Sequence, residues 1–149
     1  MRKRAPFLWL FFVWLLSSGL AQGDGWTTRR LTVTKGKSLN PSVAVNGSDV
    51  FVVWQDDTSG NDEIYFRKST DGGTSWNTAK KITDNAGAST SPAIAVDGSD
   101  VYIVWADSTP GTSQVHFMRS ADGGATWPSP SVLTRNKTAA AGHPALAVV

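Results

Sequence analysis

Short apolar runs separated by glycine-rich polar segments fill the chain from about residue 40 onward. The runs at residues 43–45, 50–54 and 64–66 are rich in β-branched and aromatic side chains, which favour β-strands. Glycine, proline, serine and threonine interrupt every longer run, so no amphipathic helix has the length that it needs. The pattern therefore predicts an all-β chain.

The same pattern returns one repeat later. Residues 41–83 align with residues 92–134 without a gap, and 19 of these 43 positions are identical. Each copy contains four predicted strands, named A to D in chain order, and the Asn-Gly pair ending at Gly47 and the Asp-Gly pair ending at Gly98 suit tight A-B hairpins. Strand B is apolar at successive positions, so we expect neighbouring sheets to cover both of its faces. A repeat of this length with several strands is typical of stacked or radial architectures.

The most similar part of the two copies lies between strands C and D, where residues 69–76 and 120–127 share the order Ser-x-Asp-Gly-Gly-x-(Ser/Thr)-Trp. The aspartate can accept hydrogen bonds from its own turn, the glycines allow backbone angles that a Cβ forbids, and the tryptophan is a large apolar anchor. One carboxylate per turn falls short of the roughly six to eight oxygens that calcium prefers. We therefore predict a structural role for Ser69, Asp71, Gly73, Trp76, Ser120, Asp122, Gly124 and Trp127.

This repeated turn resembles the Asp-box, or BNR repeat, of the sialidase-like β-propellers. The resemblance implies a β-propeller of four-stranded antiparallel blades, with two complete blades here and about six in a closed ring. The implied blades are residues 41–91 and 92–142, with the start of a further, truncated blade at residues 143–149 and a lone outer strand within residues 22–40. The remaining blades would belong to the same polypeptide.

Antiparallel strands place the A-B and C-D turns at one end of each blade, and the B-C loops and D-A linkers at the other. Loops on a rigid scaffold carry binding chemistry, so we expect a ligand at the second end. The resemblance places the acid/base aspartate of sialidases in the first B-C loop, where Asp57, or less favourably Asp56, is the candidate; a solvated acidic loop is the alternative. The other candidates for the ligand face are Asp62, Glu63, Asp107 and Arg135.

Sialidase activity also requires cations that bind the substrate carboxylate. The resemblance implies an arginine at the start of the first strand A and another after the first strand B, where this chain has Leu39, Asn40 and Pro41 and then Gln55 and Asp56. The favoured function is therefore a non-catalytic propeller that recognises glycans or other cell-surface ligands through its B-C loops and D-A linkers. Two alternatives stay open: an exo-α-sialidase or related glycoside hydrolase whose catalytic residues lie mostly downstream, and a structural repeat of a larger surface protein.

Composition narrows the partners and the location. Three cations at positions 2–4 precede an apolar run that ends at Leu16, and small residues follow as far as Ala21, which predicts a secretory signal over residues 1–21. The formal net charge of +2 includes those three cations, so the rest of the chain has a net charge of about −1. We therefore expect no nucleic-acid partner and no membrane contact beyond the export signal. With no cysteine and two isolated histidines, we expect no metal and no cofactor in a secreted or cell-surface protein.

Overall fold

The computed structural model describes residues 28–109, 111–135 and 138–148, so the predicted secretory signal lies outside the described residues. Residues 32–149 form one compact unit, and the described part of the preceding unit, residues 28–31, contains no strand. The described residues form no helix, and hence none long and apolar enough to cross a membrane.

Two four-stranded antiparallel sheets make up the described part of the chain, and each strand pairs only with its neighbours in sequence. The first sheet, called the first blade, runs in the order β1 (Ser38–Asn46), β2 (Asp49–Asp56), β3 (Glu63–Ser69) and β4 (Lys80–Lys81). The second sheet, called the second blade, runs in the order β5 (Ser89–Asp97), β6 (Asp100–Asp107), β7 (Gln114–Ser120) and β8 (Ser131–Val132). The all-β class and the two four-stranded repeats are thus confirmed.

The first strand of each blade begins three residues earlier than the predicted blade boundary, at Ser38 and at Ser89. Proline has no N–H to donate to the ladder, and the pairing register shifts between Leu39 and Ser42 in β1 and at the same place in β5. This bulge lets the strand continue across the proline. Residues 28–37 and 143–148 form no strand, so the lone outer strand and the further blade remain predictions.

The main core lies between the blades, where one face of the first blade meets the opposite face of the second. Phe51, Val53 and Phe66 from the first blade are buried together with Ile103 and Trp105 from the second. Burying a side chain of this size contributes roughly 1.5–3 kcal/mol relative to leaving it in water. Apolar packing between the blades therefore stabilises this unit.

The outer face of the first blade has no such cover in the described residues. Val43 is 62% exposed, whereas its counterpart one repeat later, Ile94, is 6% exposed because it packs in the core. The same pattern of residues is thus solvent-facing in one blade and buried in the next. Position in the stack, and not residue type, decides the burial of this face.

Candidate functional site

The turn between β3 and β4 is closed by its own side chains. Ser69 Oγ donates to Asp71 Oδ1 (2.7 Å) and accepts from the N–H of Gly73 (2.8 Å). Asp71 Oδ1 also accepts from the N–H of Ser75 (2.8 Å), and the indole of Trp76 donates to the carbonyl of Gly73 (2.9 Å). Gly73 has a φ of 91°, a conformation that side chains disfavour.

The second blade repeats this turn with nearly the same distances. Ser120 Oγ donates to Asp122 Oδ1 (2.6 Å), Asp122 accepts from the N–H of Thr126 (2.9 Å), and Trp127 donates to the carbonyl of Gly124 (3.0 Å). We call residues 69–76 and 120–127 the Asp-Gly-Gly turns. In both blades these hydrogen bonds join residues of the same turn.

Hydrogen bonding leaves the turn aspartates strongly acidic. The hydroxyl and amide of Ser75, with the hydroxyl of Ser69, lower the pKa of Asp71 to about 2. The hydroxyls of Ser120 and Thr126 lower the pKa of Asp122 in the same way. These carboxylates are therefore ionised when they accept the hydrogen bonds that hold their turns together.

The second Asp-Gly-Gly turn also joins the two blades. The ring of Trp127 meets the ring of Phe66 in the first blade edge-on, with centroids 5.4 Å apart. A Cβ on Gly124 would lie 2.4 Å from Phe66 Cζ, so only glycine fits there without displacing the ring. Trp127 and Gly124 therefore lie in the contact between the two blades.

At the opposite end of the blades, a second set of carboxylates is also engaged by the fold. Asp56 is fully buried and accepts hydrogen bonds from Ser38 Oγ (2.6 Å), Thr34 Oγ1 (3.1 Å) and the N–H of Thr58 (3.0 Å). Burial alone would raise the pKa of Asp56, but the hydrogen bonds from Ser38 and Thr58 outweigh it and lower the pKa.

Asp107 occupies the same place in the second blade. Its carboxylate accepts from Ser89 Oγ (2.9 Å), Asn85 Nδ2 (2.8 Å), the indole of Trp105 (3.1 Å) and the N–H of Thr109 (2.8 Å). Burial favours a higher pKa, yet the hydrogen bonds, those from Thr109 first, together lower the pKa of Asp107 to about 2. The fold therefore satisfies this buried charge with several donors.

Glu63 completes this set of buried acids. It is 1% exposed and accepts from the hydroxyl of Thr83 and the N–H of Asn85 (3.0 Å). Sequence reasoning placed Asp56, Glu63 and Asp107 on a ligand-facing surface; the structure buries all three. Hydrogen-bond donors lie beside all three carboxylates. Some are local, since Thr58 and Thr109 follow Asp56 and Asp107 by two residues, and others, such as Ser38 and Ser89, lie 18 residues away.

The remaining predicted ligand-face residues lie nearer to solvent. Asp57 is half-buried and its Oδ1 accepts from the N–H of Lys37 (2.7 Å). Asp62 is half-buried and accepts a long hydrogen bond from Gln55 Nε2 (3.4 Å), and Arg135 is exposed. Among the described residues, no group of three or more histidines, cysteines or carboxylates is placed to hold a metal ion.

The same end of the blades carries a cleft that sequence reasoning missed. Its volume is about 310 Å³, and three X-Pro steps, one from each blade and one from the segment that follows the second blade, form its walls. We call it the X-Pro cleft. Its lining residues are Asn40, Pro41, Ser42, Ser91, Pro92, His143 and Pro144.

The backbone of the cleft is unusual. Asn40, Ser91 and His143 are the only non-glycine residues with positive φ in the described parts of the chain, at 49°, 52° and 53°. Each precedes a proline, and a pre-proline residue normally adopts an extended conformation. Such strained conformations persist where the surroundings hold them, and they cluster at functional sites.

One buried side chain holds two of these steps. Gln55, 5% exposed, accepts through its Oε1 from Asn40 Nδ2 (2.7 Å) and from the N–H of Ser91 (2.9 Å). It thereby connects the two blades at the cleft. The recurrence of X-Pro at the start of each strand A is visible in the sequence, but the sign of φ and the role of Gln55 are not.

Comparison with known proteins shows which solved structures resemble this architecture. No protein-family model matches the chain, and no curated protein matches it in sequence. Among solved structures, a Hadza microbial sialidase, Hz136, is similar with a TM-score of 0.55 and 18% identity, over 64% of this chain and 26% of that one. A putative glycoside hydrolase from Parabacteroides distasonis is similar with a TM-score of 0.50 and 14% identity, over 64% of this chain and 32% of that one.

Similarity at this level of identity concerns the fold. The blades described above have the architecture of a β-propeller, which confirms the predicted fold class. The chain spans about a quarter to a third of the length of these two proteins.

Proposed function

We propose that this chain is part of a secreted or cell-surface β-propeller of the sialidase-like Asp-box class, and that it recognises glycans at the end that carries the B-C loops and D-A linkers. The observation that carries the proposal is the X-Pro cleft, where three strained polar residues of equivalent position meet. The similar solved structures are named as a sialidase and a putative glycoside hydrolase, which supports a carbohydrate ligand.

The cleft has the chemistry of a sugar-binding site. Prolines offer apolar surface for the face of a sugar ring, while an amide, hydroxyls and an imidazole offer hydrogen bonds to its hydroxyl groups. Its volume lies near the lower end of the range for small-ligand sites, about 300 Å³, so it suits a single sugar unit.

Binding is favoured over hydrolysis because of the state of the carboxylates. A general acid needs a pKa near the working pH. Asp56 and Asp107 have lowered pKa values and are buried in hydrogen bonds, so neither is suited to donate a proton to a leaving group. Asp57 is the one acid/base candidate that lies near solvent, and its Oδ1 is bound to the backbone at Lys37.

A glycan-binding screen tests the proposal directly. The full chain is applied to a broad panel of immobilised neutral and sialylated glycans, and is also incubated with a fluorogenic sialoside. We expect retention on at least one glycan and no turnover. Absence of binding to every glycan would contradict recognition, and turnover that disappears in Asp57→Ala would replace the proposal with hydrolysis.

Export is a separate part of the proposal. The leader over residues 1–21 predicts that the exported protein begins at Gln22. N-terminal sequencing of protein recovered from outside the cell checks this, and an intact Met1 there would contradict it.

A further inference from the structure

We infer that the X-Pro cleft accepts an uncharged sugar unit in preference to a sugar that carries a carboxylate, and that residues 40, 91 and 143 set this preference. The inference rests on the proposed function and names the class of ligand for that site. It depends on three features of the cleft: the pattern of its residues, the charges around it and its hydrogen-bonding groups.

In the X-Pro steps, the proline is constant and the residue before it varies. The proline of each step is the same at positions 41, 92 and 144, and the backbone before each has nearly the same φ. The residue before it differs every time: asparagine, serine and histidine. The Asp-Gly-Gly turns behave differently, because their hydrogen-bonding residues are kept or exchanged only between serine and threonine. A constant backbone that presents different polar side chains is what a binding surface requires.

The charges around the cleft disfavour an anion. No lining residue is an arginine, lysine, aspartate or glutamate, and the nearest charged partner of the cleft network is Asp62, which accepts from Gln55. Taking a carboxylate out of water without a cation beside it is costly. Buried acids at the same end of the blades add negative potential.

The cations at this end of the blades do not line the cleft. Lys81 is paired with Asp84 at 2.6 Å, and Lys37 and Arg135 lie on exposed segments. A carboxylate-bearing sugar seated between the X-Pro steps would therefore meet amide, hydroxyl and imidazole groups in place of a guanidinium.

The hydrogen-bonding groups suit sugar hydroxyls. Asn40 Nδ2 is committed to Gln55, and among the described residues Asn40 Oδ1 accepts no hydrogen bond, so it is available as an acceptor. A serine hydroxyl provides both a donor and an acceptor, and an imidazole provides two ring nitrogens that form hydrogen bonds. Hydroxyl groups, which also donate and accept, can satisfy all three side chains at once.

Glycine substitutions separate the side chains from the backbone. Glycine adopts positive φ without strain, so Asn40→Gly, Ser91→Gly and His143→Gly remove each side chain and leave the backbone conformation accessible. Thr78→Gly, at an exposed position after the first Asp-Gly-Gly turn, is the matched control. Thermal melting of each variant verifies that the fold is retained.

Binding is measured by saturation-transfer NMR on the full chain, with neutral methyl hexosides and methyl N-acetylglucosaminide against N-acetylneuraminic acid and glucuronic acid. We expect at least one neutral glycoside to bind, each cleft variant to weaken it about fivefold, and Thr78→Gly to leave it unchanged.

The outcomes are distinguishable. Equal or tighter binding of the two acidic sugars, or neutral binding that none of the three cleft variants weakens, would overturn this inference while the proposed function stands. Failure of every saccharide to bind would overturn the proposed function and this inference together.

Discussion

The two ends of the blades use hydrogen bonds in different ways. At the Asp-Gly-Gly turns, both blades make the same bonds with the same residue types, and these bonds are internal to each turn. At the loop end, equivalent positions exchange residues: Gln55 becomes Ala106, and Glu63 becomes Gln114. The hydrogen-bonding residues of the Asp-Gly-Gly turns close the turn and change only between serine and threonine, whereas the loop end exchanges residues more freely and still folds.

The comparison also separates scaffold from surface within the loop end. Asp56 and Asp107 fix the start of each strand A through serine hydroxyls, and this part is the same in both blades. The variable part lies in the X-Pro cleft and in its support by Gln55. The most acidic residues of the loop end therefore belong to the scaffold, and the uncharged ones to the surface that we propose binds a ligand.

The largest expected effect is at Gly124. Gly124→Ala places a Cβ against the Phe66 ring and at a φ of 86°, whereas Gly73→Ala, the same position in the first turn, places it at a φ of 91° but 3.7 Å from the nearest atom. We expect Gly124→Ala to lower the free energy of unfolding by about 3 kcal/mol or more and Gly73→Ala by roughly 1–2 kcal/mol. Denaturant unfolding measures both variants. Equal losses in the free energy of unfolding would contradict the contribution of the second turn to the contact between the blades.

The next effect concerns the buried acid of the loop end. Asp107→Ala leaves at least four donors without their acceptor, so we expect a loss of about 2–3 kcal/mol in the free energy of unfolding. Asp57→Ala, which removes one bond from a half-buried residue, is the matched variant, with an expected loss of about 1 kcal/mol. A larger loss for Asp57→Ala would contradict the assignment of Asp107 as the more important structural carboxylate at this end.

Acid should weaken both ends in the same pH range. Asp71 and Asp107 have a pKa of about 2 in the folded state against an ordinary value of 3.8, so their ionised forms stabilise the fold. That stabilisation is complete above pH 3.8 and is lost as the pH falls through about 2. The free energy of unfolding, measured by chemical denaturation, should therefore depend more steeply on pH in this range. The double variant Asp71→Asn, Asp107→Asn should show a weaker dependence on pH. An unchanged slope in the double variant would contradict the assignment.

The smallest effect on stability is expected at Gln55. Gln55→Ala copies the residue of the second blade and removes three hydrogen bonds, one of them long, so we expect a loss of about 1 kcal/mol in the free energy of unfolding. The substitution releases Asn40 and Ser91 from their shared partner. Ligand affinity should therefore fall by more than the small loss of folded protein explains. Binding that survives Gln55→Ala intact would show that the cleft does not need its buried support.

Much of the fold follows from local sequence. Alternating apolar residues, Asn-Gly or Asp-Gly hairpins and the repeat itself predict the strands and the two ends, because those features depend on neighbours within a few residues. The bonding inside the Asp-Gly-Gly turns follows for the same reason. The extra residues at the start of each strand A were missed because the bulge at the proline depends on pairing with the next strand.

The site was harder to predict because its groups meet across long separations. The burial of Asp56 depends on Ser38, which lies 18 residues away, and the support of Ser91 depends on Gln55, which lies 36 residues away. An acidic loop reads as solvent-facing in the sequence, since the serine donors that help to bury its carboxylates lie 18 residues away. The cleft itself depends on backbone angles that residue identity does not specify.

One paired measurement tests the division between the two ends most directly. Asp122→Asn and His143→Gly are each assayed for melting temperature and for binding of the best neutral glycoside. We expect Asp122→Asn to lower the melting temperature and to leave binding to the folded protein intact, and His143→Gly to weaken binding about fivefold and to leave the melting temperature nearly unchanged. Loss of binding in folded Asp122→Asn together with unchanged binding in His143→Gly would contradict it.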